Sequence, residues 1–161
     1  MMNIENEILE LSDYQCIRPC SNNLFIVGNP LRAHWLKYGV VDNNGKIIIP
    51  LSFISIYEEV GKYFRVRRIT DDKTAMYDMN GNLVIGFGQY LFWWSFWGSY
   101  IKVKQDGLYG LLDMNLSSAL PCKFTNMFEC DSGKHGNCYG VKNHSKDGWY
   151  FYDNRTLCPI L

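Results

Sequence analysis

LKYGVVDNNGKIIIP, from Leu36 to Pro50, sets a short apolar run, a turn and a second apolar run in sequence. Asp42-Asn43-Asn44-Gly45 has turn chemistry, because an aspartate there can bond its own downstream backbone. Tyr38–Val41 and Ile47–Ile49 on either side are short and rich in β-branched residues, which suits strands. One such stretch is a hairpin and nothing more. Its echoes along the chain decide the fold.

TAMYDMNGNLVIG, YGLLDMNLSSALP and WYFYDNRTLCPI repeat the pattern. Their aspartates, with Asp42, are Asp78, Asp113 and Asp153, spaced by 78−42=36, 113−78=35 and 153−113=40. A second marker precedes each: NNLFIV, GKYFRVR, GSYIKVK and GNCYGVK carry Val27, Val66, Val103 and Val141. These are spaced by 66−27=39, 103−66=37 and 141−103=38. Two markers that share a period and keep one order signal stacked or radially arranged supersecondary units.

Each unit reads as β. Phe64 and Val66 alternate with Arg65 and Arg67, and Ile101 and Val103 with Lys102 and Lys104, the period of a half-buried strand. Asp106-Gly107 and Asp147-Gly148 supply the positive φ of tight hairpin turns. A second strand (VVD, MYD, LLD or FYD) follows, and a third, such as KIIIP, is expected to end at Pro50 or Pro121, which lack an N–H for the ladder. Only NIENEILEL near the start suggests a turn or two of helix. The expected architecture is an all-β antiparallel protein of about four three-stranded units, as a β-meander solenoid or as a closed, barrel-like or propeller-like form. The chain is expected to be a single domain over residues 1–161, with approximate units 14–50, 51–86, 87–121 and 122–161.

These residues resemble the WG-repeat family, widespread in bacteria, whose unit centres on K-W-G-apolar-apolar-D-x-x-G-K before an apolar strand ending in Pro. Leu36–Pro50 is the nearest copy and LYGLLDMN, Leu108–Asn115, the next. Tyr38 and Tyr109 replace the tryptophan, Thr74-Ala75 replaces the Trp-Gly pair, and Trp149 is followed by Tyr150. The resemblance implies antiparallel β-structure and an interaction role, and it transfers no catalytic residue.

Composition narrows the function. Apolar residues make up 47% of 161 and charged residues 20%, the balance of a packed globular protein. Sixteen basic and sixteen acidic residues cancel, so no global field recruits nucleic acid or anionic lipid. Glu5, Glu7, Glu10 and Asp13 stand where a signal peptide carries positive charge, so the expected location is cytoplasmic. YLFWWSFW, Tyr90–Trp97, holds three of the five tryptophans but is far too short to span a bilayer, so no membrane association is expected. It reads as the linking strand of the third unit. Alternate residues of a strand face opposite ways, so most of these rings read as core and the other side as a second core layer or, with Trp93, Trp94 and Trp97 as candidate contact residues, an exposed patch.

Six cysteines without an export signal are expected to be reduced thiols. The cluster Cys130, His135, Cys138 and His144 could hold a metal or small molecule, though its spacing matches no paired C-x-x-C pattern. The repeated aspartates read as turn formers, and the chain shows no Gly-rich phosphate loop and no recognisable nucleophile–base motif. No catalytic residue, metal or cofactor is therefore expected.

The functional lead is positional. Arg67, Lys104 and Lys142 each follow a marker valine, with Arg65 and Lys102 two places back and Tyr63 and Tyr100 beyond them. In stacked units such residues form a basic, tyrosine-studded row suited to an acidic protein surface. The plainer reading is a solvated outer face. The expected function is a non-catalytic protein-interaction module of bacterial type, an immunity or inhibitor protein or an adaptor.

Overall fold

The computed structural model describes residues 14–32, 35–93, 100–131, 137–144, 148–153 and 155–160. The helix expected within NIENEILEL lies outside them. The described chain is all-β, with three antiparallel sheets and one 3-10 turn, Ser21–Asn23. It divides into two compact units, Met1–Gln89 and Tyr90–Leu161.

In the first unit β1 (Cys16–Pro19), β2 (Leu24–Arg32), β3 (Trp35–Asp42), β4 (Ile47–Glu59), β5 (Tyr63–Arg68), β6 (Thr74–Asp78) and β7 (Leu83–Ile85) form one seven-stranded sheet in chain order. The second unit has two sheets. β8 (Leu91–Trp93), β9 (Tyr100–Gln105), β10 (Leu108–Asp113) and β11 (Ser118–Phe124) make one. β12 (Asn126–Asp131), β13 (Asn137–Lys142), β14 (Tyr150–Asp153) and β15 (Pro159–Ile160) make the other. Only Thr125 separates β11 from β12, and its N–H still donates to the Lys142 carbonyl at 2.8 Å. At the matching place β4 runs on, with a register shift between Phe53 and Ser55.

Asp42, Asp78 and Asp113 build the same turn, and Asp153 builds one that is a residue longer. Oδ1 accepts backbone N–H groups from Asn44 and Lys46 at Asp42, from Asn80 and Asn82 at Asp78, and from Asn115 and Ser117 at Asp113, at 2.8–2.9 Å. Asp153 takes those of Arg155 and Thr156 at 2.9 and 2.8 Å. Each aspartate's own N–H donates across the turn, to the carbonyls of Lys46, Asn82, Ser117 and Cys158. The carboxylate thereby satisfies donors that the reversing chain would otherwise leave unpaired. Asp106 and Gly107 take positive φ, 50° and 83°, as the hairpin between β9 and β10 requires.

Pro50 and Pro121 do not end their strands, contrary to the sequence reading. β4 continues to Glu59 and β11 to Phe124. Instead each proline sits in a bulge. Between Tyr38 and Val40 the partner register jumps from Phe53 to Ile49, and between Tyr109 and Leu111 it jumps from Phe124 to Leu120. A bulge leaves residues out of the ladder, which is where a strand tolerates a missing N–H. The bulged chain also explains the glycine opposite. A Cβ on Gly39 would lie 2.7 Å from the Ile49 carbonyl oxygen and 2.9 Å from the Leu51 nitrogen. On Gly110 it would lie 2.7 Å from the Leu120 oxygen and 2.8 Å from the Cys122 nitrogen.

The cores follow from the valines, all four of which are buried. They pair directly with Gly39, Ala75, Gly110 and Tyr150. In the first unit Val40, two residues before its aspartate, packs in one cluster with Ile56 and Val66. In the second, Leu111 at the same place packs with Met127 and Val141. Phe53 meets Tyr77 edge-on at 6.0 Å, and Phe124 meets Tyr152 the same way at 6.5 Å. Burying each such aliphatic side chain contributes roughly 1.5–3 kcal/mol. A smaller cluster of Tyr14, Val27 and Val41 packs on the opposite side of β2 and β3.

Candidate partner-binding faces

The basic row expected to face a partner is held mostly by its own neighbours. Arg65 is buried; its Nε lies 2.9 Å from Glu59 Oε1 and its guanidinium 5.2 Å from the Tyr57 ring centre. Burial raises the Glu59 carboxyl above its usual range, with Arg65 partly offsetting the shift. Arg67 is exposed and pairs with Asp72 at 3.2 Å, and Tyr63 is half-buried opposite Asp78.

In the second unit the row turns into a seam between two sheets. Lys102 Nζ donates to the Met127 carbonyl at 2.7 Å and lies 5.2 Å from the Tyr109 ring centre. Desolvation lowers the Lys102 pKa, and the Glu129 charge acts the other way. Tyr100 donates its hydroxyl to the Arg155 carbonyl at 3.1 Å, with its ring edge-on to buried Tyr139 at 6.5 Å. The first unit satisfies the matching carbonyl from another strand. Arg18 of β1 donates to the Ile56 carbonyl at 3.0 Å and lies 5.7 Å from the Tyr38 ring centre. Ile56 and Met127 hold one position, each paired with a marker valine, and Tyr38 and Tyr109 each stand four before their aspartates. Both units therefore bring a cation to the same carbonyl and the same ring.

Lys104 lies 4.6 Å from the Tyr109 ring centre, its cross-strand partner. Lys142 lies 4.8 Å from the ring centre of Trp149. A cation over an aromatic face contributes about 0.5–1 kcal/mol at an exposed site. Here it lids the rings of Tyr109 and Trp149.

The side of β12–β14 that carries Lys142 is aromatic and open. Phe128 lies across Gly140, where a Cβ would come within 2.5 Å of the ring. Trp149 packs edge-on to Phe128 at 4.5 Å, and Phe151 at 6.3 Å. Trp149 and Phe151 are both exposed. The sequence reading missed this patch because Phe128 and Phe151 are unremarkable strand residues until the register aligns them around Gly140.

Of the other candidates, Trp93 belongs to β8, while Trp94 and Trp97 lie outside the described residues. Phe92 in the same strand is half-buried opposite Val103, and Leu91 is exposed.

The cysteine expectation needs correction. Cys130 and Cys138 are joined by a disulfide, while Cys16, Cys20, Cys122 and Cys158 are free thiols. The two are direct partners across β12 and β13 with Cα atoms 5.2 Å apart, inside the ordinary disulfide span. That bond takes both sulfurs out of the alternative ligand cluster. His135 lies outside the described residues, and His144 is exposed.

Comparison with family models, with curated proteins and with solved structures finds no match for this chain.

Proposed function

We propose that this chain is a WG-like β-repeat protein of four units and acts as a non-catalytic protein-interaction module. The fourfold recurrence of the aspartate turn and the two matching Gly–Pro bulges support the repeat reading. In this reading the lead-in segment is itself a strand, so a unit has four strands rather than three. The aspartates spend Oδ1 on turn N–H groups, which supports a structural role for them over a catalytic one.

The observation that carries the function is the open aromatic side of β12–β14, with Trp149 and Phe151 exposed around Phe128 and Lys142 on the rim. Exposed clusters of large aromatics with a basic neighbour suit protein contact surfaces. Affinity capture from the native cell with the parent chain and with Trp149→Lys tests it. The expected result is a protein retained by the parent and lost by the variant. Equal retention by both, with the variant folded, refutes the reading.

A further inference from the structure

The geometry points to head-to-tail self-docking: the open aromatic side of β12–β14 on one copy takes the β1 side of a second copy, around Ile17. This inference rests on the interaction-module reading above and names its partner. Two positions recur in every unit and carry the argument. The first stands two residues before each aspartate: Val40, Met76, Leu111 and Phe151. Val40, Met76 and Leu111 are 0% exposed, and Phe151 is 36% exposed. The second lies on the lead strand directly opposite each marker valine: Ile17, Ile56, Phe92 and Met127. Ile56 and Met127 are 0% and 3% exposed, and Ile17 is 41% exposed.

Within each compact unit these two positions pack on one another. Val40 shares a cluster with Ile56 and Val66, and Leu111 shares one with Met127 and Val141. The trailing side of one unit thus covers the leading side of the next, twice, with similar chemistry. Phe151 marks a trailing side and Ile17 a leading side, and both are exposed. Two surfaces whose counterparts bury one another within the chain are complementary between copies in the same head-to-tail sense. Aliphatic Ile17 against the ring cluster of Phe128, Trp149 and Phe151 would repeat the contact of Met127 with Leu111 and its neighbours. The contact joins two different surfaces, so it is heterologous and extends beyond two copies unless it closes.

Sedimentation over a concentration series tests the inference with the parent, Phe151→Glu and Ile17→Glu, each checked for an unchanged circular dichroism spectrum. The milder Phe151→Ser and Ile17→Ser are read the same way should a charge prevent folding. The parent is expected to gain mass with concentration, and each single variant to stay at monomer mass. A mixture of the two variants still holds one intact trailing side and one intact leading side, so it should form a species of two chains and no larger. A parent that stays monomeric up to its solubility limit overturns the proposal, as does assembly that survives either substitution. Single variants that fail to pair on mixing overturn it too, because that result belongs to a like-to-like contact. A monomeric parent that still captures another protein through Trp149 overturns self-docking alone.

Discussion

Replacing Gly110 by alanine probes the bulge that distinguishes this fold from a plain meander. The added carbon meets the Leu120 oxygen at 2.7 Å and the Cys122 nitrogen and Sγ at 2.8 Å. The first two atoms are backbone, fixed by the proline between them, so the bulge itself must move. Overpacking of this kind costs about 1–3 kcal/mol. Removing a glycine from the unfolded chain returns about 0.4–1 kcal/mol. The net expectation is a loss of about 0–2.6 kcal/mol, seen in urea as a lower midpoint with an unchanged slope. Gly39→Ala should do the same in the first unit, where the carbon meets the Ile49 oxygen at 2.7 Å. Gly148→Ala is the control, with nothing within 4 Å of the added carbon. A Gly110→Ala midpoint equal to or above that of the control would refute the bulge geometry.

Lys102→Met should destabilise by about 1–3 kcal/mol, because the Met127 carbonyl loses its donor, and Lys102→Arg should recover most of it by thermal melting. Thiol titration of denatured, unreduced protein should find 6−2=4 reactive cysteines, and a count of six would exclude the Cys130–Cys138 bond. Acid stability should depend on the turn carboxylates. Backbone hydrogen bonds from Thr156 and Arg155 lower the Asp153 pKa; at Asp78 desolvation pushes upward, but bonds from Asn82 and Asn80 outweigh it. A folded value below the unfolded one gives stability that is present above about pH 4 and lost as pH falls through the folded value. Asp78→Asn and Asp153→Asn should each flatten the acid limb of a urea midpoint plotted against pH, and an unaltered limb would count against the turn bonds.

The turns and the core valines were legible because their causes are local. An aspartate two and four residues ahead of free N–H groups needs no tertiary partner to announce itself, and period-two alternation marks Val66 and Val103 as inward. In sequence alone Pro50 and Pro121 look like strand ends, because a bulge exists only relative to a partner strand, whose register sequence spacing does not give. The same limit hid the Cys130–Cys138 pairing. The basic row was misleading for another reason. Lys102 sits on the polar side of its strand, but a lysine stem is long enough to carry its charge to a carbonyl in the next sheet.

In the proposed repeat, the capped carbonyls of Ile56 and Met127 bear on how copies of the unit should be aligned. In the first unit the paired positions hold Arg18 and Ile26; in the second they hold Trp93 and Lys102. The charge has crossed from one strand to its neighbour, and an apolar residue has crossed back. Scored column by column, both positions look freely variable, although each pair that caps a carbonyl holds one cation, in either place, while the pair Phe128 and Gly140 holds none. Related sequences should therefore show compensated exchanges between the two columns. A chain carrying Arg18→Trp with Ile26→Lys should be closer to the parent in stability than one carrying Arg18→Trp alone.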